Sequence, residues 1–192
     1  EATALASLRA ALPKTLVALD PAKAQDKDSV AVTAQTAAKY NLKAIGDLAP
    51  VATKLVLGGP PEWPKRANGV PGLASVYGVK FKEFKPLDVA GPLSVQALKN
   101  GQVQAANLFT TDPSIKANNF VVLDDPKSLF GAQNVIPVVS KDKATGDVAD
   151  ALNAVSAKLD TDSLATLVTQ VVVDKKDASA VAAAWLKAQG LD

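Results

Sequence analysis

Apolar positions along the chain switch between helical and strand spacing several times. Leu5, Leu8 and Leu12 recur three and four residues apart until Pro13 halts the run, which predicts a short amphipathic helix over residues 4–12. Thr15 to Leu19 reads as a short strand. A polar stretch from Lys23 to Asp28 follows, read as a connection between lobes, and Ser29 to Val32 is a second strand. Thr33 is placed to cap an Ala-rich helix ending near Tyr40 and Asn41. From residue 54 strand and helix alternate: strand Lys54 to Leu57, the turn Gly58-Gly59-Pro60-Pro61, and a helix opening at Val70-Pro71 with Leu73, Val76 and Tyr77 on its apolar face. Strand 79–84, a helix from Pro92 ended by Gly101, and strand Val103 to Phe109 continue the series. Strands separated by helices of about ten residues predict crossovers, and hence a largely parallel sheet with helices on its faces.

The last third changes character. Phe120 to Leu123 and Val135 to Val139 read as strands, and a nearly all-helical stretch follows. Val148, Leu152, Val155 and Leu159 form one stripe; Thr161 or Asp162 can cap a next helix carrying Leu164, Leu167 and Val168. Val171 to Val173 is expected to be extended, and Asp177 to cap a final helix with Val181, Trp185 and Leu186 inward. Val30-Ala31-Val32-Thr33 and Pro137-Val138-Val139-Ser140 echo one another as apolar strands entering helix-rich sections, which suits two lobes. The apolar runs are far shorter than the roughly 20 residues of a membrane helix.

Composition narrows the chemistry more than the fold. At 192 residues and 48% hydrophobic, the chain can bury the core of one large domain or of two small lobes. It contains neither His nor Cys, which excludes an imidazole base, a Ser-His-Asp triad, a thiolate nucleophile, disulfides, and a zinc site of nitrogen and sulfur ligands. The 21 basic and 19 acidic residues are interspersed, without the one-sided cluster that binding nucleic acid requires. The chain has no Met, so a leader or further sequence ahead of Glu1 is expected.

Three stretches stand out. Glu62-Trp63-Pro64-Lys65-Arg66-Ala67-Asn68-Gly69-Val70-Pro71-Gly72-Leu73 is a Pro/Gly-rich loop between a strand end and a helix start, where ligands sit in open α/β sheets. Its Arg66 offers a planar fork of donors to a carboxylate or phosphate, and a solvated surface loop is the plainer reading of the stretch taken alone. The second stretch ends in Phe109-Thr110-Thr111-Asp112, with Phe109 and Thr110 at a strand end and Asp112 before Pro113 as a helix cap. In the third, the polar pair Gln133 and Asn134 precedes a strand, where it can line a cleft or close a loop. Asp124-Asp125 and Asp160 with Asp162 are the carboxylate pairs an enzyme could use, and helix starts and loops account for them better.

Taken together, these stretches resemble the substrate-binding proteins of ABC importers for glycine betaine, choline and related osmoprotectants. The resemblance rests on four collinear matches: Leu19-Asp20-Pro21-Ala22; Glu62-Trp63 with Arg66 and Asn68 through Gly78; Phe109-Thr110-Thr111-Asp112; and Pro137 through Asp142. Ala184-Trp185-Leu186 to Gly190-Leu191 is similar to the family's C-terminal helix.

The resemblance implies an α/β, bilobed type II periplasmic-binding fold with ligand held in the cleft between lobes, and a binding protein rather than an enzyme. It implies residues 1–29 as part of lobe 1 and the first hinge, 30–108 as lobe 2, and 109–192 as the second hinge and the rest of lobe 1. Relatives begin with a further half-lobe of βα units, so the first lobe is expected to be incomplete here. Ligand-binding residues carried over are Asp28, Arg66, Phe109, Thr110, Gln133 and Asn134, with Arg66 and Phe109 converging across the cleft. Arg66 matches the arginine that holds the ligand's carboxylate, and Phe109 one wall of the aromatic cage that holds a quaternary ammonium group. Asp28 stands where the family often has Tyr, as does Gln133 or Asn134, so two aromatic walls are polar and the site suits hydrogen-bonding ligands better. Gln104 stands where related proteins usually carry Asp. The implied partners are a small-molecule solute and the importer's membrane permease, with no cofactor, metal or nucleic acid. The implied place is extracytoplasmic, with membrane association only through a lipid anchor upstream. An alternative with the same architecture is the ligand-sensing effector domain of a transcription regulator, and a DNA-binding module upstream would mark it.

Overall fold

The computed structural model describes residues 2–191. In chain order it contains α1 (Ala2–Ala11), β1 (Leu16–Ala18), β2 (Asp28–Thr33) and α2 (Ala34–Tyr40). Two 3-10 turns, Ile45–Leu48 and Ala52–Lys54, lead into β3 (Val56–Gly59), α3 (Val70–Tyr77), β4 (Glu83–Pro86), α4 (Pro92–Lys99), β5 (Ala105–Phe109), α5 (Pro113–Ala117) and β6 (Phe120–Val122). The tail holds β7 (Val138–Ser140), α6 (Gly146–Lys158), α7 (Thr161–Val172) and α8 (Ala178–Ala188). The elements divide into two compact units: residues 1–27 with 132–192, and residues 28–131.

The middle unit is built on a five-stranded sheet in the order β4-β3-β5-β2-β6. β4, β3 and β5 run parallel, as crossovers through α3 and α4 require, whereas β2 is antiparallel to both β5 and β6. The sheet is therefore mixed rather than largely parallel, because β2 enters at the end where β5 finishes, Asp28 facing Phe109. Side chains alternate between the faces. On one, Val30, Val32, Leu57 and Ala105 pack with Ile45, Leu48, Trp63, Leu73 and Tyr77. On the other, Ala31, Ala106 and Leu108 pack with Ala97, Leu98 and Ile115.

Local signals explain where these elements start and stop. Thr33 accepts the Thr36 amide at 3.1 Å, capping α2, and Asn41 closes that helix in the left-handed conformation. The start of α4 is capped from outside: Asp88 accepts the Leu93 and Ser94 amides at 2.9 and 2.8 Å and the Ser94 hydroxyl at 2.7 Å. Asp112 accepts the Ser114 amide at 2.8 Å and starts α5. The segment after Phe109, expected to leave for the other lobe, stays: β6 pairs with β2 from Ala31 to Thr33, so this unit runs to Gly131 instead of ending at 108.

The other unit has one two-stranded antiparallel sheet, β1 with β7, in register from Leu16 opposite Ser140 to Ala18 opposite Val138. Helices α1, α6, α7 and α8 complete it. Asp160 and Asp177 cap α7 and α8 by accepting the Ser163 and Ala180 amides at 2.8 and 2.9 Å. Val171 and Val172, expected to be extended, finish α7, and Val173 caps it with helical dihedrals; β-branched propensity yields here to an amphipathic helix already under way.

Candidate ligand-binding site

The strands of the middle unit converge on a group of polar residues at the carboxyl ends of β3 and β5, the edge where open α/β sheets place ligands. After β3, the chain makes a loop pinned by Trp63, which is 1% exposed and stacked on Phe130 with ring centroids 5.9 Å apart. The Lys65 and Arg66 amides donate to the Glu62 carbonyl at 2.9 and 3.0 Å, and the Val70 amide to the Trp63 carbonyl at 3.0 Å, so the backbone bearing Arg66 is held on both sides. Gly69 is required there: a Cβ at that position would run into the Trp63 carbonyl.

Arg66 is thereby carried to the first residue of β2. Its Nη2 donates to Asp28 Oδ2 at 3.0 Å and its Nε to Asn68 Oδ1 at 3.3 Å, while Nη1 has no hydrogen-bond partner among the described residues. The two sides of this ion pair are unequally exposed, 37% for the Arg66 side chain and 4% for Asp28. Asn107, fully buried on β5, donates Nδ2 to Asp28 Oδ1 at 3.0 Å and to the Ser29 carbonyl at 3.2 Å. Both of those partners are acceptors, which fixes the amide with its nitrogen toward them and leaves Asn107 Oδ1 buried without a partner among the described residues. Phe109 is half-buried and is the cross-strand partner of Asp28, so the two side chains stand on the same face of the sheet. Thr110 lies in the turn that follows.

Four of the six expected residues, Asp28, Arg66, Phe109 and Thr110, therefore lie in one unit. Phe109 was expected across a cleft from Arg66; pairing of β5 with β2 along its whole length keeps both in the same unit. Gln133 and Asn134 belong to the other unit. There the Gln133 carbonyl accepts the Asp26 amide at 3.2 Å, Asn134 bridges Gln25, and its Nδ2 donates to the Ala22 carbonyl at 2.8 Å. Asn107 was missed by the sequence reading, although an amide inside the apolar run Ala105-Ala106-Asn107-Leu108-Phe109 is itself a signal, since a buried amide has to be hydrogen-bonded.

Other polar features turn out to be structural. Gln104 accepts the Val56 amide at 3.0 Å and donates to the Gly101 carbonyl at 2.9 Å, tying the start of β3 to the turn before β5. Asp125 accepts the Tyr77 hydroxyl and the Leu129 and Phe130 amides, the last two at 2.9 and 3.0 Å. Burial, and then the bond to Asp125, push the Tyr77 hydroxyl up to about 12. Asp160 is a helix cap, with the Ser163 amide holding its carboxyl below the usual range. A cavity of about 360 Å³ lined by Thr33, Thr36, Lys39, Lys99 and Gln104 opens at the opposite end of the sheet and includes none of the expected site residues.

Residues 2–188 match the family model for the substrate binding domain of ABC-type glycine betaine transport systems. The chain belongs to this family. Its relatives include the carnitine transport binding protein OpuCC of Listeria monocytogenes, 27% identical over 81% of this chain and 51% of that protein. Another is the glycine betaine-binding protein YehZ of Escherichia coli K12, 29% identical over 91% of this chain and 61% of that protein. The crystal structure of a glycine betaine/carnitine/choline ABC transporter superposes with a TM-score of 0.78 at 26% identity, over 93% of this chain and 65% of that one. The family's bilobed α/β, type II periplasmic-binding fold is thus shared. The chain spans between half and two thirds of the length of these relatives.

Proposed function

We propose that this chain is the solute-binding part of an ABC importer, working outside the cytoplasm. It would take up a small polar or quaternary-ammonium solute and deliver it to a membrane permease, with a lipid anchor in sequence outside residues 1–192 as the means of membrane attachment. It binds and releases without transforming its solute. Family membership across residues 2–188 supports the reading, and the observation that carries it to particular residues is the half-exposed Arg66 guanidinium at the carboxyl edge of the sheet, with Nη1 unengaged. A guanidinium in that position, with Phe109 nearby at the end of β5, supplies a donor to the carboxylate or hydroxyl of a small solute and an aromatic face to its cationic group. Asp28, Arg66, Phe109 and Thr110 are the residues this reading assigns to the solute in the middle unit.

Calorimetric titration with glycine betaine, choline, carnitine, polyols and phenolic compounds tests it. At least one of them is expected to bind and to raise the unfolding temperature, and Arg66→Ala to change that affinity without unfolding the chain. A protein that ignores every small solute would rule the reading out.

A further inference from the structure

The Arg66 guanidinium does not face its ligand as a bare cation. Nη2 is held at 3.0 Å by Asp28, which is itself fixed from behind by the Asn107 amide. A buried acid this close cancels most of the field that the arginine would present to a second carboxylate, and an anion arriving at Nη1 would stand near Asp28 as well. Asn107 Oδ1, buried behind the pair with no partner among the described residues, adds a further acceptor to the cluster.

We propose that Asp28 sets the charge of the solute this site accepts. By neutralising Arg66 it favours a cation without a carboxylate over a zwitterion or anion that would need the guanidinium to itself. The inference rests on the solute-binding reading above and adds to it a specificity-determining residue. The closely packed Asn107 holds that residue in place, since its Nδ2 reaches both Asp28 and the Ser29 carbonyl on the adjacent strand.

The test compares the protein with its Asp28→Asn variant, using choline and glycine betaine, two probes that share a quaternary ammonium group and differ in carrying a hydroxyl or a carboxylate. The native chain is expected to bind choline more tightly. In D28N, choline should weaken and glycine betaine strengthen, each by about tenfold, as loss or gain of one close charge pair produces. The ratio of the two affinities is read within one protein and so does not depend on the fraction folded. In parallel, phenylglyoxal modification of the chain's two arginines, Arg66 and Arg9, is followed by peptide mass, with Arg9 as internal reference. Arg66 should react several-fold faster in D28N, once its carboxylate partner is gone. An unchanged ratio, or equal weakening of both probes, overturns the proposal while the solute-binding reading stands. If neither protein binds either probe, the proposal is overturned, and the solute-binding reading stands or falls separately on the wider panel of solutes. If Arg66 reactivity does not change, the masking itself is refuted.

Discussion

The two units solve the problem of burying apolar surface to very different extents. In residues 28–131 a five-stranded sheet is covered on both faces, and Val30, Val32, Ile45, Leu48, Leu57, Leu73, Leu98 and Leu108 are fully buried. In residues 1–27 and 132–192 the sheet has two strands; α7 has no buried residue, and Val172 and Val173 are 52% and 55% exposed. Apolar content does not account for the contrast, because α6, α7 and α8 carry ordinary amphipathic stripes. A stripe becomes core only when a second layer lies on it, and a two-stranded ribbon is too narrow to be that layer for three helices. The candidate site around Arg66 stands on the better-packed unit, where a guanidinium can be held in place by a loop whose anchor is a buried Trp.

Substitutions of apolar residues in the two units should separate them most sharply. Trp63→Ala removes a 1%-exposed side chain stacked on Phe130 and should cost about 3–5 kcal/mol in denaturant unfolding. Val172→Ala, at the exposed end of α7, should stay within about 0.5 kcal/mol. Equal losses from the two would erase the distinction between the units.

Alkaline pH probes the wall of the middle unit. Tyr77 holds its proton to about pH 12 in the folded chain, against an ordinary value of 10.0, first because it is buried and then because it donates to Asp125. The unfolded chain gives up that proton from pH 10 upward. The stabilisation is therefore complete below pH 10 and lost as pH rises to 12, by at most about 3 kcal/mol. Tyr77→Phe should lose stability less steeply in that window than the native chain; parallel curves would remove Tyr77 from the account.

A smaller effect separates helix capping from core packing. Burial pushes the Asp88 carboxyl up, but the Ser94 hydroxyl and the Leu93, Ser94 and Gly91 amides outweigh it and hold the group below its usual 3.8. Its contribution is thus present above about pH 4 and lost as pH falls through the depressed value. Asp88→Ala should cost about 1 kcal/mol at neutral pH and nothing further in acid, where the native cap is already protonated. A loss that persists unchanged at low pH would show that the residue acts by packing instead.

Local chemistry was well announced along the chain. Thr33, Asp112 and Asp177 cap the helices they precede, and the α6–α8 tail is helical as its periodicity indicates. Strand limits slipped where several phases were compatible with the same apolar run. The segment 79–84 was expected as a strand, while β4 begins at Glu83, because pairing with β3 selects the register and not the apolar content of the segment. Of the candidate site, Arg66 was legible as a residue type in the loop after a strand and Phe109 as one at a strand end, but their partners were not. Asp28 and Asn107 are 79 positions apart and meet only because β2 and β5 are neighbours in the sheet.

Sequence alone determined the excluded chemistries, the capping and alternation of elements, and the collinear motifs by which the family can be recognised. Each of these depends on residue type and on neighbours a few positions away, and so is written along the chain. The tertiary structure decided that β2 runs antiparallel, that β6 stays with the middle unit, and that Arg66 presents a charge already answered by Asp28. Strand order and ion pairing are settled by which distant segments lie side by side, and that choice minimises exposed apolar surface over the whole unit rather than over any one stretch of it.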